Sequence, residues 1–380
     1  MTRSALDDVV KVPIHLGSVK ISGIAASSGR PGEMMTVITR YAGTSDNYTF
    51  HRIASGIVDV LAQNSSDRAL GSRVEGASFA LAVIKADESA QLYLDNTDVV
   101  MSARIKRDVK AGEALYLQDI SDIISIDFPN VEIASEDQVI VLFRERFRHA
   151  LYVNLGRNFD RGDMTSSLGR LLRYMRYTEA YAVQSNPELF DILIARGWFP
   201  FIEINHQEFA HIFGALDDET ELDKVELSTV EAFTASRVEA MLERWLRQPA
   251  FRRREAVLRV GVEAFLAGSA IAAIKTLITE IEGVLQDAHI EAKGLSAKTR
   301  DLVEFATSNA IARAGASDTL SLPPEFQRYL MLNIFESFDP LGTDRAARHS
   351  VSHGSAPPEA YTMRRALQVL LTLDQISFLI

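Results

Sequence analysis

From Val9 to about Asn154, apolar residues come in short runs, among them Val12-Pro13-Ile14-His15-Leu16, Met35–Thr39, Phe79–Ile84 and Val139–Phe143. Turn-forming clusters separate them at Gly29–Gly32, Gly43–Asn47, Asp95-Asn96 and Lys110–Glu113. Runs of about four to eight apolar-rich residues between such clusters predict β-strands, because Gly, Asn and Asp accept the backbone angles that tight turns need. The spacing predicts a sandwich or barrel, with a helical insertion near Arg52 to Gln63. After Asn158 the apolar period lengthens to that of a helix.

Thr165 and Ser166 are placed to cap a helix running to about Glu179. Asn186 ahead of Pro187 opens another, since proline fixes a helical φ at a position whose N–H would lack a partner anyway. Gly197-Trp198-Phe199-Pro200-Phe201 then breaks the pattern. No basic residues interleave with these rings, so they read as packing between domains rather than a base-stacking platform. Amphipathic patterns follow over 228–248, 249–268, 270–288 and 296–313. Pro323-Pro324-Glu325 begins a helix ending near Phe338, and a last amphipathic helix spans Tyr361 to Ile380. In the 270–288 helix, Ile271, Ile274, Leu277, Ile278, Ile281 and Leu285 form an apolar stripe, with Lys275, Thr279 and Glu282 on a neighbouring face. The expected fold class is α+β. A β-rich domain occupies 1–158, a helical connecting region 159–248, and a mostly helical bundle 249–380.

A chain of 380 residues suits two ordinary domains. With 47% hydrophobic and 24% charged residues it has enough apolar side chains for a packed core. The sequence holds no cysteine, which removes disulfides, thiolate metal sites and a cysteine nucleophile. The first twenty residues have no apolar h-region and the apolar stretches are too short to span a bilayer, so a cytoplasmic protein with no membrane segment is expected. The formal net charge of −11 disfavours wrapping of duplex DNA. Arginines nevertheless crowd at Arg244, Arg247, Arg252, Arg253, Arg254 and Arg259, and again at Arg170, Arg173 and Arg176. Each group reads first as a solvated face or an ion-pair network. Phosphate-loop, dinucleotide-turn and nucleophile-elbow patterns are absent from the sequence, and no cofactor is expected.

The string with most chemical content is Arg345-Ala346-Ala347-Arg348-His349-Ser350-Val351-Ser352-His353-Gly354. On a helix, Arg348 and His353 stand about 140° apart and His349 lies one turn before His353. Gly354 is placed to end the helix and leave His353 exposed. An imidazole can take a proton from an RNA 2′-hydroxyl or give one to the leaving oxygen, while a guanidinium holds the phosphate. Equally, Arg348 can pair with an acid and His353 can fill a pocket. His349 and His353 have the spacing of a two-histidine metal site. Ser350 stands where zinc proteases carry glutamate, so no metal is expected.

Arg348-His349-Ser350-Val351-Ser352-His353 resembles the Arg, polar residue, three variable residues, His signature of the HEPN superfamily. The segment Ile278 to Leu285 is similar to the helix those domains set opposite the motif. The likeness covers roughly 250–380. It implies an HEPN-like bundle that dimerises and cuts RNA without metal, often in toxins or antiviral defence. By that resemblance Arg348 binds phosphate, His353 is the acid/base and His349 assists. Glu282 or Glu280 would supply a supporting carboxylate, with Lys275 on the same helix face. Arg252, Arg253, Arg254 and Arg345 are expected to help bind RNA. The β-rich domain would sense a phage or cellular trigger. The other expectation is a non-catalytic bundle that dimerises and binds protein or nucleic acid.

Overall fold

The computed structural model describes residues 12–26, 29–314, 318–335 and 347–380. Two units follow from the chain's packing. One comprises 1–103 and 123–176, the other 104–122 and 177–380.

The first unit is built on antiparallel strands. Those of the main sheet are β1 (Ile14–Leu16), β4 (Arg40–Thr44), β5 (Phe79–Ile84), β6 (Ala90–Leu94), β9 (Gln138–Glu145) and β10 (Arg148–Asn154), in the order β1-β6-β5-β9-β10-β4. Two pairs stand apart from this sheet: the short β2 (Ala25–Ala26) with β3 (Val37–Ile38), and β7 (Val100–Ile105) with β8 (Ile120–Asp127), whose strands run past the unit boundaries at 103 and 122. The helices are α1 (Tyr48–Gln63), α2 (Leu70–Gly76) and α3 (Arg161–Arg176). The expected sandwich or barrel is thus corrected to an open six-stranded sheet covered by helices. The cause is visible in β5, whose run Ala80 to Ile84 is buried on both faces, as strands sheathed on both sides are. Ala80, Ala82 and Ile84 share a core with Phe50, Ile53, Ile57 and Leu61 of α1. On the sheet, α3 lies along β4, β9 and β10, where the Tyr152 hydroxyl donates to Asp163 at 3.0 Å.

In the second unit α4 (Thr178–Ser185), α5 (Pro187–Ala195), α6 (His206–Gly214), α7 (Glu219–Ala232), α8 (Ala235–Trp245) and α9 (Pro249–Arg252) lead to α10 (Glu255–Leu266) and the long α11 (Ala270–Lys293). There follow α12 (Thr299–Ala314), α13 (Pro323–Tyr329) with a π-turn at Leu330–Ile334, α14 (Arg348–Ser352) and α15 (Met363–Leu379). Asn186 accepts from Glu188 and Leu189 N–H at 3.1 and 3.2 Å with Pro187 at the first helical position, the cap expected there.

A connecting region is expected over 159–248, but its stretch to Arg176 belongs to the first unit and 177–248 shares one core with 249–380. Trp198, Phe199 and Phe201, expected between domains, are buried inside this core, with Phe199 and Phe201 against Tyr329. Helix α15 differs from the amphipathic helix expected, since Arg365 through Ser377 are buried on every side. Its polar side chains are therefore bonded within the core, as at Gln368, whose amide donates to Arg196 carbonyl at 3.0 Å. Gly197 makes this possible. It holds φ at +79°, and a Cβ there would strike Gln368. A Gly197→Ala protein is expected to lose about 2–4 kcal/mol from left-handed strain and displacement of a buried amide. Chemical denaturation of the full chain checks this, and an unchanged midpoint would refute it.

Candidate active site

Ser350 sets the shape of the short helix α14. Its hydroxyl accepts from Ala347 N–H at 3.0 Å and donates to Ala347 carbonyl at 3.0 Å. Its carbonyl in turn accepts from Ser355 and Ala356 N–H at 2.9 and 3.2 Å. Gly354, at φ +69°, ends the helix, a conformation costly to any residue with a Cβ. Arg348 is thereby the first helical residue and His353 the C-cap. The rings of His349 and His353 are nearly parallel, 5° between planes and 6.3 Å between centroids. His349 is half-buried and His353 exposed.

Helix α11 packs against α14. From it Glu282 forms an ion pair with the Arg348 guanidinium through Oε2, while its Oε1 accepts the Thr299 hydroxyl at 2.7 Å. The first residue of α12 thus fixes a carboxylate that fixes the guanidinium. Both charged side chains are half-buried, so the pair is screened less than one in open water. Arg348 Nε is shielded and has no hydrogen-bond partner among the described residues. Two turns earlier on α11, about 10 Å along the axis, the exposed Lys275 ammonium sits 5.6 Å from the centre of the Tyr361 ring. Burial pushes the Tyr361 hydroxyl above the usual phenol range.

Of the two candidate carboxylates, only Glu282 meets Arg348. Glu280 pairs with Arg254 at 2.9 Å, and Asp287 holds the same guanidinium at 2.8 Å. That arginine lies across Gly283, where a Cβ would collide with its Nη1. Arg253 is exposed and pairs with Glu291 at 3.2 Å. Arg252 is exposed, its Nε donating to Leu246 carbonyl at 2.9 Å. Arg345 lies outside the described residues. In the same arginine run, Arg244 bridges Glu203 and Asp374, Arg247 pairs with Asp108 and Arg259 with Glu255. In the other, Arg173 donates to Ile123 carbonyl at 2.6 Å and Arg176 pairs with Glu145 at 3.1 Å.

Sequence reasoning passed over Thr299 and Tyr361. Neither carries a local signal, because each meets its partner across a long chain separation that only the packing of α11, α12 and α15 closes. Among the described residues no three His, Asp or Glu side chains gather as metal ligands, and no helix is long and apolar enough to cross a membrane. No protein-family model, curated protein or solved structure matches the chain.

Proposed function

We propose that the chain is an endoribonuclease of HEPN type that needs no metal and acts as a homodimer. The observation that carries this is the Arg348 to His353 turn, which presents an exposed imidazole one and a half turns from a guanidinium oriented by Glu282. In the reaction the 2′-hydroxyl oxygen attacks the adjacent phosphorus and the P–O5′ bond breaks. A 2′,3′-cyclic phosphate and a 5′-hydroxyl end are left. His353 of one copy removes the hydroxyl proton, and the imidazole of a second copy protonates the departing oxygen. Arg348 holds the non-bridging oxygens as charge builds on them. His349, stacked one turn below, keeps the acting ring in place. Arg252, Arg253 and Arg345 supply charge for RNA capture, which the overall negative charge otherwise opposes. The sheet unit senses a trigger, which would suit a toxin or antiphage effector in the cytoplasm.

The test is incubation of the purified chain with total RNA in EDTA, followed by end-group analysis. Cyclic-phosphate ends are expected, and intact RNA or 3′-hydroxyl products would overturn the proposal.

One observation favours a second reading, a non-catalytic HEPN-like module that dimerises and binds. Glu282 already neutralises Arg348. A Glu282→Gln protein separates the two. If Glu282 orients a working guanidinium, the amide loosens it and cleavage slows about tenfold or more, since a charge-assisted bond contributes roughly 1.5–3 kcal/mol. If the pair is only structural, Glu282→Gln lowers the melting temperature and there is no cleavage to slow.

A further inference from the structure

The turn between β9 and β10 has only two residues, Arg146 and Phe147. Arg146 holds φ at +56°, a conformation that Gly or Asn fills more readily in such a turn. Phe147 is 98% exposed, although a ring of that size normally finds cover. Arginines alternate around it: Arg144 and Arg146 are exposed, and Arg148 makes an ion pair with Asp46 at 3.5 Å. Glu145, the acid within this run, is engaged by Arg176 at 3.1 Å.

A second strip of rings and cations adjoins the turn. His149 N–H donates to the Ser45 hydroxyl at 3.0 Å, and Ser45 carbonyl bonds the His51 ring at 2.8 Å. His51 stands on the first turn of α1 with Tyr48 and Arg52, residues spaced to share one face. Tyr48 is 84% exposed, and His51 and Arg52 are exposed as well. Two uncovered rings set among guanidinium and imidazole groups fit a strand whose bases stack while its phosphates meet cations.

We infer that this end of the sheet, formed by Arg144, Arg146, Phe147, Tyr48 and Arg52, binds single-stranded nucleic acid. Bases stack on Phe147 and Tyr48, and the arginines contact phosphates. A duplex keeps its bases inside and offers the rings nothing. An anionic bilayer is the poorer occupant, because even one whole acyl chain anchors a protein only marginally and one phenyl ring buries less. The inference stands without the nuclease reading. The two are probed apart by a deoxy strand, which lacks the 2′-hydroxyl that cleavage needs.

The experiment is fluorescence anisotropy of the full chain with fluorescein-labelled oligodeoxythymidylate at several salt concentrations. Wild type is expected to bind. Phe147→Ser weakens binding about ten- to a hundredfold, and Phe147→Trp restores it. An Arg144→Glu, Arg146→Glu double variant lowers the slope of log affinity against log salt by about one to two. Substitutions at such exposed positions leave thermal melting unchanged. Absence of binding by wild type overturns the inference. So does affinity indifferent to Phe147 and to both arginines, or Phe147-dependent adsorption to phosphatidylserine vesicles without oligonucleotide binding.

Discussion

A His353→Ala protein is expected to cut RNA about a hundred- to ten-thousandfold more slowly than wild type, the usual contribution of a positioned acid or base, while melting at the same temperature. The second half of that expectation comes from the structure. The backbone closes α14 at His353, its N–H donating to His349 carbonyl at 3.0 Å, and the turn is set by Ser350 and Gly354. The ring projects where it is exposed, and exposed substitutions ordinarily move stability by no more than about 0.5 kcal/mol. Loss of activity with an unmoved melt therefore assigns chemistry to the imidazole. His349→Ala is expected to slow cleavage less, because its half-buried ring supports its neighbour. Arg348→Lys keeps the charge but loses the planar fork that meets Glu282 and phosphate together, so its defect lies nearer the alanine variant's than wild type's. Cleavage time courses under single-turnover conditions, run beside calorimetry, read these effects. Undiminished cutting by His353→Ala sinks the assignment.

How far the sequence reaches depends on how local the signal is. Asn186 before Pro187 and Gly354 after His353 act within one turn of chain, and both ends form where the pattern places them. The strand runs Phe79–Ile84 and Val139–Phe143 are legible for the same reason. What covers them is not. A strand buried on both faces is the same text whether a second sheet or a helix lies above it, so the spacing that suits a sandwich or barrel also fits a single sheet covered by α1 and α3. Helix α15 shows the opposite difficulty. Arg365, Gln368, Asp374 and Gln375 mark a solvated face by composition, yet each is buried and bonded to chain far away in sequence. In the candidate site, the Arg348 turn is readable, but the choice of Glu282 over Glu280 is made by packing. Two residues along α11 turn a side chain by about 200°, and Glu280 on that far side meets Arg254 instead.

The largest loss of stability is expected at Asp374, where truncation to alanine should cost about 3–5 kcal/mol. Asp374 is fully buried in α15. Its Oδ1 accepts from Trp245 Nε1 at 2.7 Å and from Arg244 at 2.6 Å, and Arg244 also holds Glu203 at 2.8 Å. Glu203 and Glu208 in turn hold Arg237, at 3.2 and 2.7 Å. Alanine leaves a buried indole N–H without its acceptor, takes one of two carboxylates from a half-buried guanidinium and opens a void. Asparagine keeps an oxygen at Oδ1 and costs far less. The pH dependence separates the two further. Burial raises the Asp374 carboxyl above the usual carboxylate range, with Arg244 opposing and Glu203 reinforcing. Its Oδ2 has no hydrogen-bond partner among the described residues. A carboxyl raised in the folded state favours folding below the ordinary carboxylate pKa, and that contribution is lost as pH rises through the folded value. Asp374→Asn lacks this loss, so its stability relative to wild type should climb as pH is raised from acid toward neutral. Denaturant titrations at several pH values measure both effects. A flat difference between Asp374→Asn and wild type, or an Asp374→Ala protein within about 1 kcal/mol of wild type, would mean that this buried cluster does not hold α15 in the core.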